Sequence, residues 1–197
     1  MKLKNILLGL AVFGATLSLT GCGYQETTPE ELAKVIYNNN QKETPNYTKV
    51  TVKEKYNDIE VEVGETANAL GITKESVIEM FKDQGIEEGK TTETVVEGND
   101  IEDLRFIAKD TSENAILANL KSFTDPECYV RGDSFRLEFD MSQNSSGMIM
   151  EMEVSTNFNE YNFVTKQHSD LTISMVSNNV LIFSISTDIN ITYTYTK

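Results

Sequence analysis

The chain is poor in the residues on which disulfide-stabilised and histidine-dependent proteins rely. Its 197 residues include two cysteines, one histidine and no tryptophan. Two cysteines cannot build a disulfide framework, so a hydrophobic core must hold the fold. Any triad or imidazole-based acid–base mechanism would depend on His168 alone, and no phosphate-binding Gly-rich loop, nucleophile elbow or zinc-ligand spacing is present. These absences argue against an enzyme, and the sequence predicts no catalytic residue.

What the chain does contain, at its start, is an export signal. Lys2 and Lys4 precede an uncharged, largely apolar stretch of 14 residues, positions 6–19, which leads into Leu19-Thr20-Gly21-Cys22. A membrane-spanning helix needs about 20 apolar residues, whereas the apolar region of a signal peptide needs only about 7 to 15 behind a positive start. The stretch therefore predicts a signal peptide rather than a transmembrane helix.

The end of this segment resembles the lipobox of bacterial lipoproteins, in which the cysteine is diacylated and becomes the first mature residue. The resemblance implies that residues 1–21 are removed, that Cys22 carries the lipid and that residues 22–27 form a tether. Each buried methylene adds about 0.8 kcal/mol to membrane attachment, so two or three acyl chains give stable anchoring. We expect the protein on the extracytoplasmic face of the cell membrane, with the membrane as its partner through this lipid.

Residues 28–197 are interpreted as one domain, whose length suffices for a sizeable core. With Cys22 bound to lipid, Cys128 has no intrachain partner and is interpreted as a small buried hydrophobic residue. Removing residues 1–21 leaves 15 basic and 31 acidic residues, a net charge of −16. The electric field of this negative charge repels nucleic acid, so no nucleic-acid partner is expected. The charge also favours solubility.

Secondary-structure signals in the first half of the mature chain are mixed. Thr28-Pro29-Glu30-Glu31 has the form of a helix start with a capping box. Alternating apolar and polar residues across 47–63 predict a strand pair or one long bent strand. Apolar residues three and four apart within 67–120 predict two or three short helices, and a further strand is expected at 90–96.

From residue 128 to the end the pattern is almost entirely that of antiparallel strands. Apolar and polar residues alternate in runs separated by turn signals at 131–133, 142–147, 157–161 and 178–179. One face of such a sheet is apolar and must be buried, and the predicted helices are available to cover it. The predicted fold class is α+β, an antiparallel, half-barrel-like meander covered by a few short helices on one face.

This element order, with a capped helix, an early strand, a helical insertion and a run of antiparallel strands, resembles the LolA-like class of envelope lipid carriers, which includes mycobacterial lipid-binding lipoproteins. The segment 157–166 is similar to the turn between two central strands in that class, with Asn162 where a glycine is usual. The resemblance implies a sheet curled around a hydrophobic cavity that accommodates acyl chains.

Methionines mark the least ordinary segment. Met148, Met150 and Met152 alternate, so their side chains share one face of a strand at a spacing of about 6.8 Å. Three interpretations stay open, namely core packing, the lining of an adaptable hydrophobic pocket and Cu(I) binding. Met141 and Met175 lie in neighbouring predicted strands and favour a pocket. All five are candidate ligand-binding residues, and no metal site or cofactor is expected.

These patterns together favour a non-enzymatic, membrane-anchored domain that binds a hydrophobic or lipid ligand between its sheet and its helices. The alternative is a structural or protein-interaction lipoprotein with a filled core. His168 is interpreted as a polar surface residue, because its sequence neighbours Ser169 and Asp170 cannot fold back onto it as a triad.

Replacing Cys22 by serine is expected to block lipidation, because serine offers no thiol to acylate. Labelling by a clickable palmitate analogue should disappear, and the protein should move into a soluble fraction. The Cys128→Ser variant, which changes the other cysteine, should label like the wild type. Undiminished labelling of Cys22→Ser would contradict the assignment.

Overall fold

The computed structural model describes residues 23–145 and 147–197, so the predicted signal peptide and Cys22 lie outside the described residues. The strands in the described part are β1 (Gln25–Thr27), β2 (Lys49–Val63), β3 (Thr91–Glu97), β4 (Thr124–Arg131), β5 (Ser134–Ser145), β6 (Met148–Phe158), β7 (Val164–Ser177) and β8 (Val180–Thr196). The helices are α1 (Pro29–Asn40), α2 (Glu65–Ala69), α3 (Lys74–Lys82) and α4 (Glu113–Leu120), with a 3-10 helix at Gly98–Leu104.

The eight strands form one antiparallel sheet in the order β1-β4-β5-β6-β7-β8-β2-β3. Strands β4 to β8 follow one another as a meander, and β2 adds beside β8. The sheet is open, with β1 and β3 at its edges, and does not close into a barrel. The predicted α+β class and the antiparallel meander with few short helices are confirmed.

The helices pack on one face of the sheet, which is the apolar face. Leu32 and Ile36 of α1, with Ile116 of α4, pack against Phe135 and Leu137 of β5. Two further clusters hold α3 and the 3-10 helix over β2 and β8 on that same face. Each fully buried Leu, Ile or Phe side chain contributes about 1.5–3 kcal/mol, so these clusters supply the main stabilisation that the missing disulfides do not.

Two local predictions from the first half of the chain hold. The side chain of Thr28 accepts a hydrogen bond of 3.2 Å from the backbone N–H of Glu31 and caps the start of α1 as predicted; the capping box is not completed, because the Glu31 carboxylate accepts from the hydroxyl of Thr27 at 2.7 Å. The alternating segment is one 15-residue strand, β2, rather than a strand pair. It bends where its register against β8 shifts between Asn57 and Glu60, and Asp58 there takes a φ of 49°.

The predicted tether is shorter than the sequence suggested. Its last residues form β1, in which Gln25 pairs with Val130 and Thr27 with Cys128. The ring of Tyr24 lies under the guanidinium groups of Arg131 and Arg136, with 4.8 and 5.4 Å to the ring centroid. Such cation–π contacts are worth about 0.5–1 kcal/mol at exposed sites. The chain is therefore attached to the sheet from Tyr24 onward.

Asn162 closes the turn between β6 and β7 and is fully buried. Its φ of 64° lies in the left-handed region, which glycine adopts easily and asparagine tolerates. The side-chain amide nitrogen donates to the backbone oxygen of Ile36 (2.9 Å) and to Oδ1 of Asn40 (2.8 Å), and Oδ1 accepts from Nδ2 of Asn39 (3.0 Å). The amide of Asn162 therefore joins the end of α1 to this turn.

Replacing Asn162 by alanine should lower the free energy of unfolding by about 3–5 kcal/mol, because buried hydrogen-bonding groups lose their partners at about 1–3 kcal/mol each and alanine is strained at positive φ. Denaturant titration would measure the loss. Asn162→Gly removes the same hydrogen bonds without the backbone strain, so it should be destabilised less than Asn162→Ala. A glycine variant as stable as the wild type would show that the amide contacts do not stabilise the fold.

Candidate functional site

The apolar face is only partly covered by its helices. Between the end of α4 and the segment after the 3-10 helix lies a groove of about 400 Å³, open to solvent. Most of its apolar lining is aromatic, from Phe106, Phe123, Phe139, Phe158 and Tyr193; Leu104, Leu137 and Val164 complete it, and Asp103, Arg105, Asn119, Thr156 and Gln167 add polar groups. The rings contact one another: the centroids of Phe123 and Phe139 are 4.4 Å apart, and those of Phe106 and Phe158 are 5.4 Å apart. The groove is therefore a firm apolar surface that water can reach.

The five methionines singled out by the sequence lie on this same face. Met141 pairs with Met152, Met148 pairs with Met175, and Met150 lies between them on β6. Met141, Met148 and Met175 are 46%, 50% and 40% exposed. Core packing therefore does not describe these three, and all five lie along an open part of the sheet rather than around an enclosed cavity.

The aromatic groove and the methionines form one continuous surface, here called the apolar strip. Phe139 on β5 and Val154 on β6 are a facing pair, and the next pair on that face is Met141 with Met152. Along β6 the strip spans about 27 Å from Thr156 to Met148, at about 3.4 Å per residue; Thr156 and Val154 are buried, and the more open part from Met152 to Met148 spans about 14 Å. Monomeric proteins rarely leave long apolar surfaces uncovered, so the strip is a candidate binding site.

A smaller apolar groove of about 180 Å³ lies at α3. Ile59, Ile78, Phe81, Ile86 and Ile185 provide most of its lining. Charged residues beside it close one side, where the Nζ of Lys82 lies 3.1 Å from a carboxylate oxygen of Glu87. Its volume is less than half that of the aromatic groove, which makes it the weaker candidate.

The opposite face of the sheet is polar and concentrates negative charge. Asp140, Glu153, Asp170 and Asp188 stand directly opposite one another on β5, β6, β7 and β8, and are called here the carboxylate row. Like charges at directly opposed positions destabilise a sheet. The row also borders a shallow groove of about 340 Å³. Packing alone gives no reason for this arrangement.

His168 lies beside the carboxylate row. Its Nδ1 is 3.2 Å from Oδ1 of Asn190, and its Nε2 is 3.7 Å from Oδ2 of Asp170 and 3.5 Å from Oδ1 of Asp188. A hydrogen bond with Asp170, and then desolvation, raise the pKa of Asp188 above its ordinary value, which the imidazole partly offsets. The sequence showed Asp170 beside His168 but gave no sign of Asp188.

Cys128 lies on the other side of the sheet from His168. It is 2% exposed beneath α1, on the face that carries the helices, so the two residues cannot form a catalytic pair. Burial, reinforced by the negative charge of Glu30, raises the pKa of the Cys128 thiol to about 11. The interpretation of Cys128 as a buried hydrophobic residue is confirmed.

Comparisons with known proteins do not assign the chain to a family. No protein-family model matches it, no curated protein matches it, and no solved structure matches it. Among the described residues, no helix has the length and apolar character needed to cross a membrane. The candidate sites therefore depend on the geometry of this chain alone.

Cys128 in the folded protein should resist alkylation by iodoacetamide at pH 8, because the thiolate is the reactive species and burial keeps the thiol protonated. In denaturant the same residue should react fully. Mass spectrometry of the peptide that contains Cys128 would follow both reactions. Rapid modification in the native state would contradict the buried position.

Proposed function

We propose that this protein is an extracytoplasmic lipoprotein, anchored in the cell membrane through Cys22, whose domain binds the acyl chain of a lipid along the apolar strip without catalysing a reaction. The observation that carries the proposal is the continuity of the aromatic groove with the exposed methionines on a single face. The occupant lies in an open trough rather than in the enclosed cavity that the resemblance to LolA-like carriers implies.

The dimensions of the strip suit a long hydrocarbon chain. One leaflet of a bilayer contributes half of a hydrocarbon core of about 30 Å, or about 15 Å of extended chain. The strip spans about 27 Å along β6, and its open methionine part, from Met152 to Met148, spans about 14 Å, which is close to that length. Aromatic rings at one end give a firm contact surface, and methionine side chains at the other adapt their shape to a flexible ligand.

The position of the anchor supports a ligand that comes from the membrane. Gln25, the first residue of β1, follows Cys22 by three residues, so the two Cα atoms are within about 11 Å of each other. A lipid on Cys22 therefore holds the whole domain close to the bilayer surface. Lipids are the apolar ligands most abundant at that distance.

The chemistry of the two faces supports binding rather than catalysis. Cys128 is buried and its thiol stays protonated, while His168 lies on the opposite face among carboxylates. The apolar strip is lined chiefly by hydrocarbon, aromatic and thioether groups, which bind apolar matter and have little acid–base reactivity. The site therefore suits retention or transfer of an intact ligand.

Met141→Lys should weaken the binding of a fluorescent polyene fatty acid at least about tenfold, because the variant places a charge where hydrocarbon must pack and a loss of about 1.4 kcal/mol suffices. Fluorescence titration of the protein in dilute detergent would measure the affinity. Met141 is 46% exposed, so the fold should tolerate the change.

Val95→Lys is the matched control for this experiment. Val95 is 45% exposed and lies on the polar face of β3, so this variant adds the same charge away from the strip. Its affinity should stay within about twofold of the wild type, because charge effects at that distance are screened. Equal affinity of wild type and Met141→Lys, or no binding by the wild type, would contradict the proposal and favour a protein-interaction role.

A further inference from the structure

His168 and two carboxylates of the row lie close together on the polar face, with Lys55 opposite Asn190 and Lys166 two residues before His168 on the same face. Nδ1 of His168 lies 3.2 Å from Oδ1 of Asn190, and in the tautomer that donates to this oxygen the lone pair is on Nε2. That lone pair faces the carboxylates of Asp170 and Asp188 at 3.7 and 3.5 Å. In that tautomer three electron-rich groups face one another, an arrangement that a bound cation would stabilise.

The spacing of the three groups matches a coordination shell. One ligand atom from each of His168, Asp170 and Asp188 can be chosen so that all three lie within 4.8 Å of one another. Nitrogen and oxygen ligands about 2.1 Å from a tetrahedral zinc ion lie about 3.4 Å apart. The distances from Nε2 to the two carboxylates are close to this value, so small side-chain rotations complete the shell.

We propose that His168, Asp170 and Asp188 form a binding site for a divalent transition-metal cation of the Zn²⁺ type. A nitrogen ligand with two carboxylates favours such an ion over Mg²⁺ or Ca²⁺, which take oxygen ligands. Asn190 acts as a positioning residue, since its contact with Nδ1 directs Nε2 toward the ion, an arrangement common around metal-binding histidines. Three protein ligands leave at least one coordination position open to water or to a partner group.

The backbone makes the site rigid although its side chains are partly exposed. His168 and Asp170 alternate on β7, and Asp188 and Asn190 stand opposite them on β8. Both strands are central in the sheet, with β6 and β2 on either side. Glu153 on β6 faces Asp170 from the other side and adds negative potential. The cation would also relieve the repulsion within the carboxylate row.

Calorimetric titration with ZnCl₂ tests the site in the full chain, purified in detergent without a polyhistidine tag and freed of metal with EDTA. The wild type should bind one ion saturably. His168→Gln and Asp188→Asn should each weaken binding at least about tenfold, and Asn190→Ala about tenfold, in the range seen when outer partners of metal ligands are lost. Wild-type affinity in Asp188→Asn or His168→Gln would overturn the proposal.

Glu151→Gln is the matched control. Glu151 lies on the same polar face of β6, opposite Thr172, so this variant removes one negative charge but none of the three ligands. Its Zn²⁺ affinity should stay within about twofold of the wild type, because screening limits the effect of a separate exposed charge. A loss equal to that of Asp188→Asn would show general counter-ion attraction and overturn the site.

Two readouts separate metal binding from a structural role of the same residues. In EDTA, Asp188→Asn should melt at a higher temperature than the wild type, because the variant lacks one of two facing carboxylates. Addition of Zn²⁺ should raise the melting temperature of the wild type but not that of the variant. The protein has a single histidine, so its imidazole C–H signals in an NMR spectrum are unambiguous. Substoichiometric Mn²⁺ should broaden them selectively, and unaffected signals would overturn the proposal.

Discussion

The buried amide of Asn162 joins the parts of this domain that are far apart in sequence. Besides binding the end of α1, the same turn receives the chain that follows the 3-10 helix: Phe106 donates its backbone N–H to the oxygen of Asn162 (2.9 Å). The guanidinium of Arg105 donates to the oxygen of Tyr161 (2.8 Å) and lies 4.3 Å from the ring centroid of Phe163. These covering segments are fixed at one end of the sheet; at the other end α3 covers β8 and β2, while Met141, Met148 and Met175 stay exposed.

The two faces of the sheet thus have separate chemistries that depend on the same strand register. Along each of β5 to β8, alternate residues point to the face of the apolar strip, and the residues between them point to the face of the carboxylate row. A shift of one residue would exchange the faces. Between β7 and β8 the register does shift, at Met175 and Val176, where β8 carries the additional residue Ile182. This irregularity is what brings Asp188 opposite Asp170.

The sequence predicted what depends on local pattern. Alternation identified the strands and the shared face of Met148, Met150 and Met152, since side-chain direction follows from strand geometry. It did not predict that the methionines would be exposed, because a two-residue period says nothing about what covers a face. The contact between the side chains of His168 and Asp188 could not be predicted, for a related reason. The Asn178-Asn179 turn, with φ of 51° and 62°, predicts a hairpin, but a bulge beyond the turn has no clear sequence signal.

The short strand β1 has a mechanical consequence if the domain is held by a lipid on Cys22, as proposed above. A force between membrane and domain enters through Tyr24 and is borne first by three residue pairs with β4. This edge contact is the weakest of the sheet pairings in length, so it detaches before the long central strands. Release of β1 would lengthen the tether by about 10 Å, at about 3.4 Å per residue. It would also leave the edge of β4 open to pairing with another strand. With the proposed anchor, release of β1 would change the distance between the domain and the bilayer in one step.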